Sequence, residues 1–215
     1  MFLNNAWYVG AWGTEVGRQV PLRRKLLNKP LVFYRSENGA PVVLKDKCAH
    51  RHAPLSEGRI KGDNIECPYH GLTYDPSGNC VRVPGQAASP PGCFVKSYPT
   101  IERYKWIWVW MGDPKLADPH LIEDFYWMDD PNWRAKGELF HLKANYQLLI
   151  ENLLELSHLS YVHRNTLGTE AVAEVQMKHK RGARDVTLTR WVMDSPVSNM
   201  FRLIGGFKEG EHVDR

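Results

Sequence analysis

The sequence predicts an α+β protein, an all-β unit over residues 1–115 followed by a mixed unit over residues 116–215 in which one helix leads into further strands. Three observations carry this reading. Short β-rich runs separated by turn residues fill the first half, Pro, Asp and Gly interrupt that pattern between Gly112 and Pro119, and leucines recur with helical spacing from Ala144 to Val162.

In the first unit, Leu31 to Arg35 and Pro41 to Lys45 flank Ser36-Glu37-Asn38-Gly39, whose Asn-Gly pair favours a tight hairpin turn. A second hairpin is predicted at Asp75-Pro76-Ser77-Gly78, between Leu72-Thr73-Tyr74 and Cys80-Val81-Arg82-Val83. The Pro- and Gly-rich stretch from Pro84 to Gly92 reads as loop, and the strand Lys105 to Met111 closes the unit. In the second unit Leu148, Leu149, Leu153, Leu154, Leu156 and Leu159 mark a helix. Beyond Gly168 the stretch Ala171 to Phe207 reads as strands, most clearly from Val186 to Val192.

With 215 residues the chain can bury a core. A formal net charge of +4, spread along the sequence, gives no reason to expect nucleic acid. Arg23-Arg24-Lys25 and Lys178-His179-Lys180-Arg181 are the densest basic segments; each reads as a solvated edge or as a docking point for an acidic electron-transfer partner. The most apolar run, Trp106 to Met111, is strand-sized, so no membrane span is expected. Met1 to Asn5 lacks the basic and apolar segments of a signal peptide, and a cytoplasmic location is expected.

The chemistry is concentrated in Cys48-Ala49-His50 and Cys67-Pro68-Tyr69-His70-Gly71. Two thiolates on one iron and two neutral imidazoles on the other form the donor set of a Rieske [2Fe-2S] cluster, with Cys48, Cys67, His50 and His70 as ligands. Imidazole in place of thiolate raises the potential and draws the incoming electron to the histidine iron. The second nitrogen of each ring can then pass an electron and a coupled proton outward. A structural zinc site is the competing reading, although zinc modules usually pair like residues rather than interleave them. Pro54, Gly58, Pro68 and Gly71 place both tips in turns whose amides can face bridging sulfides. Cys80 and Cys93 remain as reduced core or loop thiols.

A second constellation, Asn152, Glu155, His158 and His163, lies on the expected helix. Steps of three put the first three on one face, whereas His163 is rotated by roughly 140° from His158, so the helix must bend or end before it. Arg164-Asn165-Thr166-Leu167-Gly168 makes ending plausible. Two histidines from a helix and its distorted end suit two ligands of a 2-His-1-carboxylate iron site.

The chain resembles the oxygenase component of the Rieske non-haem iron oxygenases, and more narrowly the vanillate O-demethylase and toluenesulfonate methyl-monooxygenase branch. The resemblance rests on Asn5-Ala6-Trp7-Tyr8-Val9, on Cys48 to Leu55, on Cys67 to Leu72, on Val83-Pro84-Gly85-Gln86, on Trp108 to Pro114 and on the helix motif. It implies a Rieske domain followed by a helix-grip catalytic domain, arranged as a head-to-tail homotrimer. Electrons from NAD(P)H would come through a separate flavin and iron-sulfur reductase or a ferredoxin. Glu155 would link His70 of one subunit to the ligand His158 of the next, and Asn152 would stand near a mononuclear Fe(II) held by His158 and His163. The implied reaction is O2-dependent demethylation or hydroxylation of a small aromatic acid; oxidation of a methoxy carbon gives a hemiacetal that collapses to a phenol and formaldehyde. An electron-transfer module without a working iron site is the rival expectation.

Three departures from the pattern stand out. Most members carry Asp where this chain has Glu155. Respiratory-type Rieske proteins add a disulfide and a hydroxyl beside the cluster, and here His52, Tyr69 and Leu72 occupy those positions, which predicts fewer hydrogen bonds and a lower potential. The third iron ligand of the family, an Asp from a later helix, has no counterpart before Arg215; Asp185 and Asp194 fall in strand-like stretches, and the catalytic domain is expected to be incomplete.

Overall fold

The computed structural model describes residues 2–183 and 185–215, and the chain divides into two compact units, Met1–Gly137 and Glu138–Arg215. In the first, the strands are β1 (Ala6–Trp12), β2 (Leu22–Leu26), β3 (Lys29–Arg35), β4 (Pro41–Lys45), β5 (Arg59–Lys61), β6 (Asn64–Glu66), β7 (Thr73–Tyr74), β8 (Cys80–Arg82), β9 (Thr100–Arg103) and β10 (Trp106–Met111). They pair antiparallel in three sheets, ordered β1-β10-β9, β2-β3-β4 and β5-β6-β7-β8.

The run Leu31-Val32-Phe33-Tyr34 is fully buried because β3 is covered on both faces. Alternation sends Val32 and Tyr34, with Val42 and Leu44 of β4, into one core; that core also contains Cys48, Leu55, Ile65, Cys67 and Tyr74. Leu31, Phe33 and Val43 point the opposite way, against Ile107, Val109 and Met111 of β10. Trp108 takes the outer face of β10 and packs with Tyr104, Ile122 and Met128 in a third core. Strand periodicity thus stacks three cores, and Cys48 and Cys67 belong to the first. Each large buried aliphatic or aromatic side chain contributes about 1.5–3 kcal/mol.

The expected limit at residue 115 lies inside this first unit. Pro114 to Gly137 lacks strands, yet Ile122 and Met128 bury themselves against Trp108, Trp7 Nε1 donates to the Asp118 carbonyl at 2.8 Å, and the Tyr104 hydroxyl donates to Asp124 at 2.5 Å. Its composition marks a loop correctly, but its apolar residues dock where they complete a core.

In the second unit α1 (Tyr146–Leu154), capped by the Asn145 side chain, precedes α2 (Ala171–Glu174), the hairpin β11 (Lys178–Arg181) and β12 (Val186–Thr189), and the pair β13 (Ser195–Pro196) and β14 (His212–Val213), with α3 (Asn199–Gly205) between the last two. Two expectations are corrected here. The helix stops at Leu154 rather than running to Val162, and the stretch Ala171 to Phe207 contains two helices besides its strands. Met200, Phe201, Leu203 and Ile204 carry helical spacing, and Gly206 ends α3 at φ +70°, the left-handed conformation that favours glycine. Among the described residues no helix is long and apolar enough to cross a membrane.

Arg35 joins two of the sheets. Its guanidinium donates to both oxygens of Glu102 on β9, at 2.6 and 2.8 Å, and to the carbonyls of Gly13, Val16 and Gly39. That hydrogen bonding holds the Glu102 carboxyl below the usual carboxylate range. A depressed folded-state value contributes stability above the unfolded pKa of about 4.3, and the contribution is lost as pH falls through the folded value. Thermal unfolding followed across pH should therefore show Glu102→Gln less stable than the parent near neutrality, with the difference shrinking below about pH 4.

Candidate metal centres

Two backbone tips of the same design hold the Cys-His pairs. In the first, the Cys48 amide donates to the Ala53 carbonyl at 2.9 Å and the His52 amide donates back to the Cys48 carbonyl at 3.1 Å. In the second, the Cys67 amide donates to Leu72 at 2.8 Å and the Gly71 amide to Cys67 at 3.1 Å. The residue four beyond each cysteine takes a left-handed conformation, His52 at φ +60° and Gly71 at φ +73°. Gly58 brings the first tip against the strand leading into the second, since a Cβ there would collide with the Glu66 carbonyl oxygen. Asp46, buried before Cys48, anchors the following turn by accepting from the Ser56 amide and hydroxyl at 2.7 Å each.

These frames drive the thiols inward and the imidazoles outward. Cys48 and Cys67 are buried side by side, whereas His50 and His70 are exposed. The two Nδ1 atoms face each other at 3.2 Å, with ring centroids 4.6 Å apart and Tyr69 packed on His70 at 3.9 Å. A tetrahedral ion with metal–nitrogen bonds of about 2.0–2.1 Å spaces two ligand nitrogens about 3.3 Å apart, so both imidazoles are set to hold one metal through Nδ1 and to present Nε2 outward. Burial pushes the Cys67 thiol up and the neighbouring Cys48 thiol adds to this, against the backbone amides of Tyr69 and His70 that point at the sulfur. Those amides would favour a thiolate bound to iron. Among the described residues no three His, Cys, Asp or Glu side chains converge as a mononuclear ion requires. The donors instead form one sulfur pair and one nitrogen pair, the division that a dinuclear cluster needs and a tetrahedral zinc site does not.

All four cysteines are free thiols. The expectation about the hydroxyl is corrected in part. Leu72 has none, but the buried Tyr74 hydroxyl lies 3.2 Å from Cys48 Sγ and accepts the Ala49 amide at 3.1 Å. Its burial raises the phenol well above its ordinary pKa, so it stays a hydrogen-bond donor. Tyr74 was readable in the sequence as a hairpin residue near the second tip; its reach to the other tip was not.

In the second unit Asn152 lies exposed on α1, but Glu155 is the residue that ends the helix, and His158 sits in a 3-10 turn from Ser157 to Ser160. The single helical face predicted for these three therefore does not form. The Glu155 carboxylate accepts the Ser157 amide at 2.6 Å and the His158 amide at 3.3 Å, which holds it below the usual carboxylate range, and it competes with continuation of the helix. His158 turns Nδ1 toward the Glu155 carbonyl and carboxylate, the latter at 3.4 Å, leaving Nε2 as its outer ligand atom. His163 approaches with its ring centroid 5.5 Å from that of His158, and its carbonyl receives the amides of Thr166, Leu167 and Gly168. The helix thus ends before both histidines rather than at Arg164 to Gly168 as expected, and their rings still lie close together. No described carboxylate joins them as a third ligand. Asp194 is engaged by His212 at 3.0 Å, and a cleft of about 810 Å³ near Arg164 and Ser198 is lined by none of the predicted site residues.

Comparison with known proteins agrees with both halves. The Rieske [2Fe-2S] domain family matches residues 6–99, and the vanillate O-demethylase oxygenase C-terminal domain family matches residues 142–215. The chain belongs to the oxygenase components of the Rieske non-haem iron oxygenases. It is 44% identical over 211 residues to the iron-sulfur subunit of a toluene-4-sulfonate monooxygenase system from Comamonas testosteroni, covering 97% of this chain and 61% of that protein. It is 46% identical over 171 residues to the oxygenase component of a dicamba O-demethylase from Stenotrophomonas maltophilia, covering 79% of this chain and 50% of that protein. The crystal structure of dicamba monooxygenase bound to 3,6-dichlorosalicylic acid superposes with a TM-score of 0.90 at 37% identity, over 99% of this chain and 62% of that one. The chain thus spans about half to three fifths of the length of these relatives.

Gly71 tests the shared frame. An added Cβ would be strained at φ +73° and would meet Pro84 Cγ at 3.1 Å, so Gly71→Ala should lower the unfolding free energy by about 1–2 kcal/mol in chemical denaturation.

Proposed function

We infer that this chain supplies the Rieske cluster and the first part of the mononuclear iron site of an oxygenase component that demethylates or hydroxylates a small aromatic acid, with O-demethylation favoured. The observation that carries this is the pair of exposed imidazoles whose Nδ1 atoms converge at 3.2 Å beside two buried thiols. Cys48 and Cys67 would hold one iron of the cluster, His50 and His70 the other, and His158 and His163 two positions of a separate iron. The relatives named for toluene-4-sulfonate, dicamba and vanillate support the substrate class. For a methoxylated substrate the balance is one methyl ether, one O2, two electrons and two protons to one phenol, one formaldehyde and one water.

The irons, when bound, supply electron storage and O2 reduction. The protein's own residues do the positioning. The outward Nε2 of His50 or His70 presents a hydrogen-bonding edge to an acceptor, and the exposed Glu155 carboxylate is that acceptor on another subunit of a head-to-tail homotrimer. Glu155 also sets the ring of His158 through Nδ1, as second-shell carboxylates orient metal-bound histidines. Asn152, exposed on α1 three residues before Glu155, would act as an outer contact near the iron. A flavin and iron-sulfur reductase or a ferredoxin, drawing on NAD(P)H in the cytoplasm, would be the electron source.

The second reading is an electron carrier that holds only the cluster. Iron analysis separates the two, with three irons per chain expected for the oxygenase and two for the carrier. In the oxygenase, Glu155→Ala should keep the visible spectrum of the cluster and lower formaldehyde release about 10- to 100-fold. Unchanged turnover would remove Glu155 from the electron path.

A further inference from the structure

The turn that carries His158 is tied down at both ends. At its far end the buried Ser160 hydroxyl donates to the Thr169 carbonyl at 2.7 Å. At its near end the Ser157 hydroxyl accepts from Arg190 Nη2 at 3.2 Å, and Nη1 of the same guanidinium donates to the Val172 carbonyl of α2 at 2.5 Å. Arg190 directly follows β12, so one side chain joins the hairpin, α2 and the turn.

This placement does little for Arg190 itself. Its Nε is buried and has no hydrogen-bond partner among the described residues, and a buried donor left unpaired is destabilising. What the guanidinium does offer is a planar fork that fixes two acceptors in one geometry, which a flexible ammonium would not. One of those acceptors belongs to the residue between Glu155 and His158 whose amide already donates to Glu155 at 2.6 Å. Ser157 is thus held from two directions, its amide by the Glu155 carboxylate and its hydroxyl by Arg190.

We propose that Arg190 is a positioning residue for the mononuclear iron site: by tying the Ser157 hydroxyl to α2 it fixes the turn from which His158 extends toward His163. The proposal rests on the reading of His158 and His163 as iron ligands. Glu155 orients the His158 ring through Nδ1, and Arg190 holds the backbone that carries that ring. Residues that orient metal-bound histidines in this indirect way set metal affinity and ligand geometry without touching the metal.

The test uses cluster-loaded protein and cobalt(II) as the metal probe, with affinity measured by equilibrium dialysis and geometry by electron paramagnetic resonance of the bound cobalt, since the oxidised cluster is diamagnetic. Arg190→Ala should weaken cobalt binding about 10-fold, the lower end of the range for such partners, and change the shape of the cobalt signal. Ser157→Ala should act in the same direction, and adding it to Arg190→Ala should weaken binding little further, because both remove one hydrogen bond. The visible spectrum of the cluster, held by the other unit, should match the parent in each variant. Should Arg190→Ala not fold, Ser157→Ala alone carries the test. Cobalt binding that is lost with His158→Ala yet keeps its affinity and signal in Arg190→Ala and Ser157→Ala overturns the proposal, as do effects of the two substitutions that simply add. Failure of the underlying ligand reading shows itself separately, as cobalt binding by the parent that His158→Ala and His163→Ala leave unchanged.

Discussion

The amide of Cys48 closes on the carbonyl five residues ahead, the amide of Cys67 does the same, and this repeated hydrogen bond organises the two Cys-His tips of the first unit. It leaves the cysteine side chain on the core side and lifts the intervening histidine into solvent. One tip carries its histidine two residues after the cysteine and the other three, yet the Nδ1 atoms still meet. Tolerance of that offset comes from the left-handed turn at His52 and at Gly71, which reverses the chain within each tip. The thiols are held in place by the hydrophobic core itself, because Cys48 and Cys67 pack among Val32, Leu55, Ile65 and Tyr74.

The second unit solves a similar problem by ending a helix. Glu155 caps the turn that follows α1, and the change of backbone direction there separates His158 from the helical face of Asn152 and carries it toward His163. Glutamate reaches the amides of both Ser157 and His158, so its carboxylate is held in a structured turn. The same contacts make Glu155 both the terminator of the helix and the group that orients His158.

The strands and hairpins of the first unit were readable from short β-rich runs and turn residues, because Asn38-Gly39 sets the turn between Leu31 to Arg35 and Pro41 to Lys45 and those runs are buried on both faces. The pairing of the two Cys-His tips was readable for a different reason, since few arrangements of Cys and His at this spacing do other chemistry, and the structure brings His50 to His70. The docking of Pro114 to Gly137 was not readable, because it depends on which surface of β10 lies open. The helix at Asn199 was hidden by apolar residues that suit a strand equally well, and the end of α1 by a leucine pattern that continues past it. Tyr74 was missed because a hydroxyl that reaches from one tip to the other is a tertiary fact with no local signature.

The central claim is that two imidazoles, presented through Nδ1, and two buried thiols hold one dinuclear iron cluster. Pulsed electron paramagnetic resonance of the reduced protein tests it directly, because nitrogen bound to the reduced iron couples to the unpaired spin. The account predicts strong couplings from two histidine nitrogens, both lost when His50 and His70 are replaced. A colourless protein that contains zinc, or a cluster spectrum without nitrogen coupling, would contradict it.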